Sequence, residues 1–338
     1  MSNRKLLTIG IPIYKRYKSL STLLTQLNNE IIKNNLSEYI EILICDNTGQ
    51  EKINFNAIAN LINNDFYKYI DNKENIGLIN NFLKIFEEST GKFCMVVGDD
   101  EELNIGKLNT ILNSLKVLPD TFGAIIFDKE NINEKQELNC IEAALKYFWY
   151  FGNLGCFLVN IDLIKKYIQF NKRNTIWPQT ELVFNSICSE NKSFLIINEC
   201  IFHSPNHKVN TRYNSHYVLE AGYLSLIKTA LNLNNNELQF NAIKNIYNRY
   251  NNLLSILILQ FIFNDSKQDT KKTKDALIIN KKIINTYIFD KSIFYFIFLT
   301  RIPKLFYIII LIISRKYMKL KKIHKNINND IKVNDDYT

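Results

Sequence analysis

Glycine and proline are scarce, ten and five among 338 residues. With 46% hydrophobic and 22% charged residues, that scarcity excludes a disordered, collagen-like or disulfide-framework chain. The six cysteines (45, 94, 140, 156, 188 and 200) form no C-x-x-C pair. Neither a zinc site nor a disulfide framework is signalled, and reduced, mostly buried thiols are expected. No G-x-G-x-x-G occurs, and Gly91-Lys92 and Gly106-Lys107 lack the following Ser or Thr of a P-loop. Hydride transfer on a dinucleotide and ATP hydrolysis on a P-loop therefore lose support. Leu6 to Ile13 is a short apolar run broken by Thr8, Gly10 and Pro12 with no small-residue cleavage site behind it, so a secretory signal is not expected.

The length suggests two domains at about 150 residues each. The net charge of +9 is concentrated near the end: residues 301–329 carry eight Lys/Arg and no Asp or Glu, and residues 1–300 are left at +3. Basicity is thus a property of the tail, and bulk nucleic-acid binding by the body is not expected.

The first hundred residues alternate strand and helix patterns. Apolar runs at Leu6–Ile13, Ile40–Cys45, Phe66–Ile70 and Phe93–Val97 read as strands. Between them, Ser19 can cap a helix carrying Leu20, Leu23, Leu24, Leu27 and Ile31, and Gly77 opens one carrying Leu78, Phe82, Ile85 and Phe86. Leu108, Ile111, Leu112 and Leu115 continue the series. This predicts an α/β fold with a mostly parallel sheet. Pro12-Ile13-Tyr14, Asp46-Asn47 and Asp99-Asp100 each fall just past the carboxyl end of a predicted strand, the edge where open α/β sheets bind ligands. Each also has a plainer reading as a strand end, a turn or a helix cap.

Asp99-Asp100-Glu101-Glu102 goes beyond what a turn requires. Adjacent carboxylates repel, and a divalent cation removes that repulsion. Mg²⁺ and Mn²⁺ favour one or two carboxylates plus phosphate oxygens and water, which suits a metal shared with a diphosphate. The alternative is a solvated helix start.

Taken in order, these pieces resemble glycosyltransferase family 2, whose members have the GT-A fold. Ile11-Pro12-Ile13-Tyr14-Lys15-Arg16 resembles the P-x-Y-N-R opening, and Ile42 to Thr48 resembles V-x-D-N-x-S. Asn75-Ile76-Gly77-Leu78-Ile79-Asn80-Asn81 resembles N-x-G-x-x-x-N, and Thr90 to Phe93 followed by Gly98-Asp99-Asp100-Glu101 resembles the G-x-Y/F strand with its acidic metal motif. Gly98 stands where many members place the first Asp of D-x-D-D. The resemblance covers roughly residues 5–205.

It implies a metal-assisted, inverting transferase using a nucleoside diphosphate sugar, a UDP-sugar first, and Mn²⁺ or Mg²⁺. Pro12, Tyr14, Arg16, Asp46, Asn75, Asn80 and Asp99 would bind the donor, with Asp46 on the base and Asp99 on the ribose or beside the metal. Asp100 or Glu101 would be the main metal ligand. Glu181, in Trp177-Pro178-Gln179-Thr180-Glu181, matches the general base of the family's E-D pair. Asp162 and Asp128 are substitutes, and a helix-start role is the plainer reading of Glu181. His203 falls where some members place a His near the diphosphate, against a surface or core role. Pro205 argues against a helical two-histidine zinc face made by His203 and His207. Gly152 to Val159 resembles the acceptor-side loop.

From His216 onward, residues 217–231 and 236–263 read as helices. Residues 293–313 form an apolar run interrupted by Thr300 to Lys304 and followed by a basic stretch, Arg315 to Lys322. Two cations near mid-membrane would cost roughly 2.5 to 3.5 kcal/mol each, so an interfacial segment on an anionic cytoplasmic leaflet is expected rather than a span. The alternative is packing on the catalytic domain or on a second subunit as a homo-oligomer. The expected organisation is a catalytic domain over 1–210, a helical region over 211–292 and a basic membrane-associating tail over 293–338. The expected acceptor is a growing bacterial surface glycan or glycolipid (lipooligosaccharide, O-antigen or capsule) at the inner face of the cytoplasmic membrane. A non-catalytic nucleotide-sugar-binding or scaffold subunit is the competing class.

Overall fold

The computed structural model describes residues 4–50, 52–128, 135–168, 177–203 and 225–246. The chain divides into two units, Met1–Asn206 with Lys228–Asn245, and His207–Ile227 with Ile246–Thr338. The first unit is built on an eight-stranded sheet. The expected helices over 217–224 and 247–263, His207, the apolar run and the basic tail all lie outside the described residues.

Four strands open the chain: β1 (Leu7–Ile13), β2 (Ile40–Asp46), β3 (Tyr67–Asp71) and β4 (Phe93–Val96). β2 and β4 flank β1 on either side, both parallel to it, and β3 pairs parallel with β2. After β1 the chain turns to one side, and after β3 it returns to the other. This reversal opens a crevice past the carboxyl ends of β1 and β4, the place where such sheets bind ligands.

The sheet is extended by β6 (Phe122–Phe127), β7 (Gln136–Leu138), β8 (Phe157–Asn160) and β9 (Ser193–Ile197), in the overall order β3-β2-β1-β4-β8-β6-β9-β7. β8 is antiparallel to both β4 and β6, and β7 is antiparallel to β9, so the other six strands point one way. A second, two-stranded sheet pairs β5 (Glu102–Leu103) with β10 (Phe202–His203).

Helix α1 (Tyr17–Lys33) buries Leu20, Leu23, Leu24, Leu27 and Ile31, the expected apolar stripe. It starts two residues before Ser19, with Arg16 at the cap position and no side-chain cap bond. The expected Ser19 cap is therefore incorrect. The start is fixed by long-range contacts instead, because the Arg16 and Tyr17 side chains reach to Asp99 and Asp46. After a short α2 (Asn56–Ala59), α3 (Leu78–Glu88) packs against β1 so closely that a Cβ on Gly10 would lie 2.2 Å from Ile85 Cγ2. Helix α4 (Lys107–Lys116) has no acidic residue in its first turn. Buried Glu30 of α1 serves instead, accepting from the amides of Gly106 and Leu108 at 2.9 Å each.

Helices α5 (Cys140–Tyr147), α6 (Ile161–Tyr167) and α7 (Pro178–Ser189) follow, with Pro178 at the first position of α7 as Pro prefers. Phe148, Phe151, Phe157, Phe184 and Phe194 form one aromatic cluster beneath α7, with centroids 4.8 to 5.9 Å apart.

Cys140 and Cys188 form a disulfide, their Cα atoms 5.7 Å apart across 48 residues of sequence. The expectation that all thiols are reduced is corrected for this pair. The start of α5 and the end of α7 meet only through the tertiary fold, so no local spacing signals it. Cys45, Cys94 and Cys156 fit the expectation: they are free, and burial pushes each thiol up to about 12, out of the reactive range.

Candidate active site at the carboxyl edge of the sheet

Arg16 leaves the end of β1 and reaches Asp99, just past β4, across the crevice. Its Nε donates to Asp99 Oδ2 at 2.8 Å and its Nη2 to Oδ1, and Nη2 also lies 3.0 Å from Asp100 Oδ1. Asp99 is buried while Asp100 is exposed. Burial pushes the Asp99 carboxyl above the usual aspartate range, opposed by the Arg16 guanidinium. The Arg16 guanidinium is in turn held in its charged form, first by the Asp99 hydrogen bond.

Gly98 lets Asp100 and Glu101 fold back. A Cβ there would sit 3.2 Å from Asp100 Oδ1 and 3.2 Å from Glu101 Cγ. The carboxylates of Asp100 and Glu101 thus converge on space that the family's more common acidic residue would fill. Among the described residues, no three His, Cys, Asp or Glu side chains are grouped to hold a metal ion. Exposed Asp100 and half-buried Glu101 beside a paired Arg nevertheless fit a cation that takes its remaining ligands from a diphosphate and water.

His203 is brought to the same region by the β5–β10 pair, opposite Glu102. Its Nε2 lies 3.6 Å from Glu102 Oε2, and among the described residues its buried Nδ1 has no hydrogen-bond partner. Asn104 fastens this strap by donating from Nδ2 to the Cys200 carbonyl and from its amide to the Ile201 carbonyl, both at 2.8 Å. Glu102, read from the sequence only as the last member of the acidic run, is therefore the acid beside His203.

Asp46 ends β2 and is fully buried. Its Oδ2 accepts from the Tyr17 hydroxyl at 2.5 Å and from the Tyr69 hydroxyl, and its Oδ1 accepts from the Thr48 amide at 2.8 Å. Burial, reinforced by Asp46, pushes Tyr17 up to about 12 and Tyr69 higher still. Phe55 packs edge-on against both tyrosine rings. At the rim, Asp71 is ion-paired with Lys52 and Lys73 at 2.8 and 2.9 Å, and these bonds, Lys52's first, hold its carboxyl well below the usual range. Neither tyrosine stands out in the sequence, because Tyr69 lies inside the apolar run Phe66–Ile70 and Tyr17 precedes the expected helix start at Ser19.

A set of asparagines ties β2, β3 and α3 together. Asn47 Nδ2 donates to Asn75 Oδ1 at 2.6 Å, and Asn47 Oδ1 accepts from the Ile76 amide at 2.8 Å. Asn75 Oδ1 also accepts from the Gly77 amide at 2.9 Å, and Asn80 Nδ2 donates to the Ile76 carbonyl at 2.8 Å. Asn72 donates to Asn81, which donates to the Cys45 carbonyl. Asn75 and Asn80 thus shape the loop entering α3. Pro12, half-buried, and Tyr14, exposed, lie at the carboxyl end of β1 on the same edge.

Glu181 lies in the first turn of α7, only 4% exposed, and its Oε2 accepts from Asn232 Nδ2 at 3.1 Å. Of the substitutes, Asp128 follows β6 on the same sheet edge, buried, its amide donating to the Ile197 carbonyl at 3.0 Å. Asp162 does not belong there: it follows antiparallel β8, lands on the opposite edge, and pairs with Arg4 at 2.8 Å. As a candidate base it is excluded.

Fold and edge together define an α/β protein of the GT-A class, its polar residues gathered where the sheet reverses. Residues 8–183 match the profile of Glycosyl transferase family 2. The chain belongs to that family and is a glycosyltransferase. No curated protein matches it. Among solved structures, TarS 1-349 of S. aureus has a TM-score of 0.58 at 12% identity, covering 80% of this chain and 79% of that one. Its complex with UDP-GlcNAc also scores 0.58 at 12% identity, covering 84% and 82%. The mannosyltransferase PcManGT of Pyrobaculum calidifontis, in complex with GDP-Man and Mn²⁺, scores 0.54 at 10% identity, covering 99% and 88%. Among the described residues, no helix is long and apolar enough to cross a membrane.

Proposed function

We propose that this chain transfers a sugar, with inversion, from a nucleoside diphosphate sugar to a hydroxyl of a growing bacterial surface glycan. The observation that carries this reading is the Arg16–Asp99–Asp100 cluster, placed where the sheet's strand order reverses. Nucleotide sugars bound to two structures of the same fold support the donor class, with UDP-sugars as the first to test.

Asp46 and the asparagine set would shape the nucleoside end, with Pro12 and Tyr14 beside it. Asp99 would hold Arg16 toward the diphosphate. Asp100, Glu101 and His203 would hold Mn²⁺ or Mg²⁺, which when bound supplies positive charge against the departing diphosphate. The Mn²⁺ in the complex of the Pyrobaculum enzyme supports divalent metal use. In the transfer step the acceptor oxygen bonds to the anomeric carbon as the bond to the diphosphate oxygen breaks, its electron pair staying on the diphosphate. The acceptor proton passes to a Glu181 carboxylate oxygen. No covalent enzyme intermediate is required.

The catalytic region is assigned to 1–210 and a helical region to 211–292. The basic segment 293–338 is assigned to the inner membrane surface, near a lipid-linked acceptor. Donor turnover with and without Mn²⁺, repeated with Asp100→Ala, tests the reading. Metal-dependent turnover that the variant loses supports it, and turnover indifferent to both overturns the metal-assisted mechanism.

A further inference from the structure

Residues beyond the family-matched segment return to α7. The turn after the helix Ser225–Leu231 presents Asn232, whose Nδ2 donates to Glu181 Oε2 at 3.1 Å. One helical turn further along α7, Asn185 binds the same segment twice. Its Oδ1 accepts from the Asn234 amide at 3.1 Å, and its Nδ2 reaches the Asn232 carbonyl at 3.5 Å. The turn is closed internally by Gln239, whose Nε2 donates to the Leu231 and Leu233 carbonyls at 3.2 and 2.8 Å.

A further asparagine, Asn245, buried where Asn232 is only half-buried, anchors the following helix, residues 236–246. Asn245 Oδ1 accepts from the Trp149 amide at 3.1 Å, and its Nδ2 donates to the Leu145 carbonyl at 2.9 Å. Residues 228–245 accordingly belong to the same unit as the sheet, although the family match ends at residue 183.

We infer that Asn232 is a positioning residue for transfer, fixing the Glu181 carboxylate from a segment outside the family core. An amide donor on one carboxylate oxygen removes rotational freedom from a long side chain and fixes where that carboxylate can accept a proton. Misplacing a reacting group by about 1 Å can cost on the order of 10²-fold in rate. Because Asn185 and Gln239 hold the turn, the Nδ2 donor is set by backbone contacts that do not involve the acceptor. The inference rests on the reading of Glu181 as base.

The test is a double-mutant cycle on the full chain with Asn232→Ala, Asn232→Leu and Glu181→Gln. Asn232→Leu keeps the side-chain volume while deleting the donor, and thermal melts establish that each variant is folded. The expected result is kcat lower by about 10-fold in both Asn232 variants, with donor KM unchanged and no further loss when either is combined with Glu181→Gln. Equal losses in both Glu181 backgrounds would overturn the inference in favour of packing. Full kcat in the Asn232 variants, with Glu181→Gln impaired, would overturn it as well. Full turnover in Glu181→Gln itself would instead remove the base assignment, a separate failure.

Discussion

Arg16 and Asp99, 83 residues apart, meet through two hydrogen bonds that link the ends of β1 and β4. The pair couples the folding of the crevice to its charge. Arg16→Ala leaves Asp99, whose side chain is 7% exposed, without its main partner. A loss of about 1 to 3 kcal/mol is expected, the cost of an unsatisfied buried group. Burial favours the protonated form of Asp99 and Arg16 opposes it, so the penalty is smallest below about pH 4, where the acid is neutral. It grows as pH rises and Asp99 must ionise. Denaturant unfolding of both proteins from pH 3 to pH 8 checks the sign.

Asp46 is a load on two phenols. Asp46→Asn removes the negative charge that, after burial, raises Tyr17 and Tyr69. Spectrophotometric titration should show tyrosines ionising at lower pH than in the parent, where Tyr17 stands at about 12. An unchanged alkaline curve would remove the charge contribution.

The rim pair of Lys52 and Lys73 on Asp71 has the opposite sign. Its carboxyl is held below the usual range, so its contribution to stability is complete above the unfolded value of about 3.9. That contribution is lost as pH falls through the folded value. The stability difference between the parent and Asp71→Asn should therefore shrink steadily below pH 4. A constant difference over that interval would contradict the ion pairing.

Cys140 and Cys188 close a loop of 48 residues. Chain-entropy arguments give about 4 kcal/mol for a loop of that size. Titration of the denatured, unreduced chain should find four thiols, the six cysteines of the sequence less the bonded pair. Cys140→Ser should melt lower than the parent in the absence of reductant, and six thiols would refute the bond.

The strand and helix order was legible because β1, β2 and β4 are continuous apolar runs, as strands buried on both faces must be. The same pattern carried Asp46, Asp99 and Asp100 to one edge. Partnership was not legible: that Tyr17 and Tyr69 share one carboxylate depends on the first residue of α1 meeting the end of β2 beside β3, which no local period records. Asp162 misled because strand direction, not strand existence, decides which edge a following acid occupies. Ser19 misled because distant partners for Arg16 and Tyr17 outweighed a local cap. Asn232 carries no motif at all, and its significance arises only from the return of its segment to α7.

Gly10 has a reach that its smallness conceals. Ile85 already occupies the volume any methyl at position 10 would claim, so even alanine there would lever α3 away from β1. That helix begins beside Asn75 and Gly77, which are laced to Asn47 at the tip of β2. A lesion deep in the interior would thus surface as a displaced mouth, and a defect in ligand capture could originate at a residue that never meets the ligand.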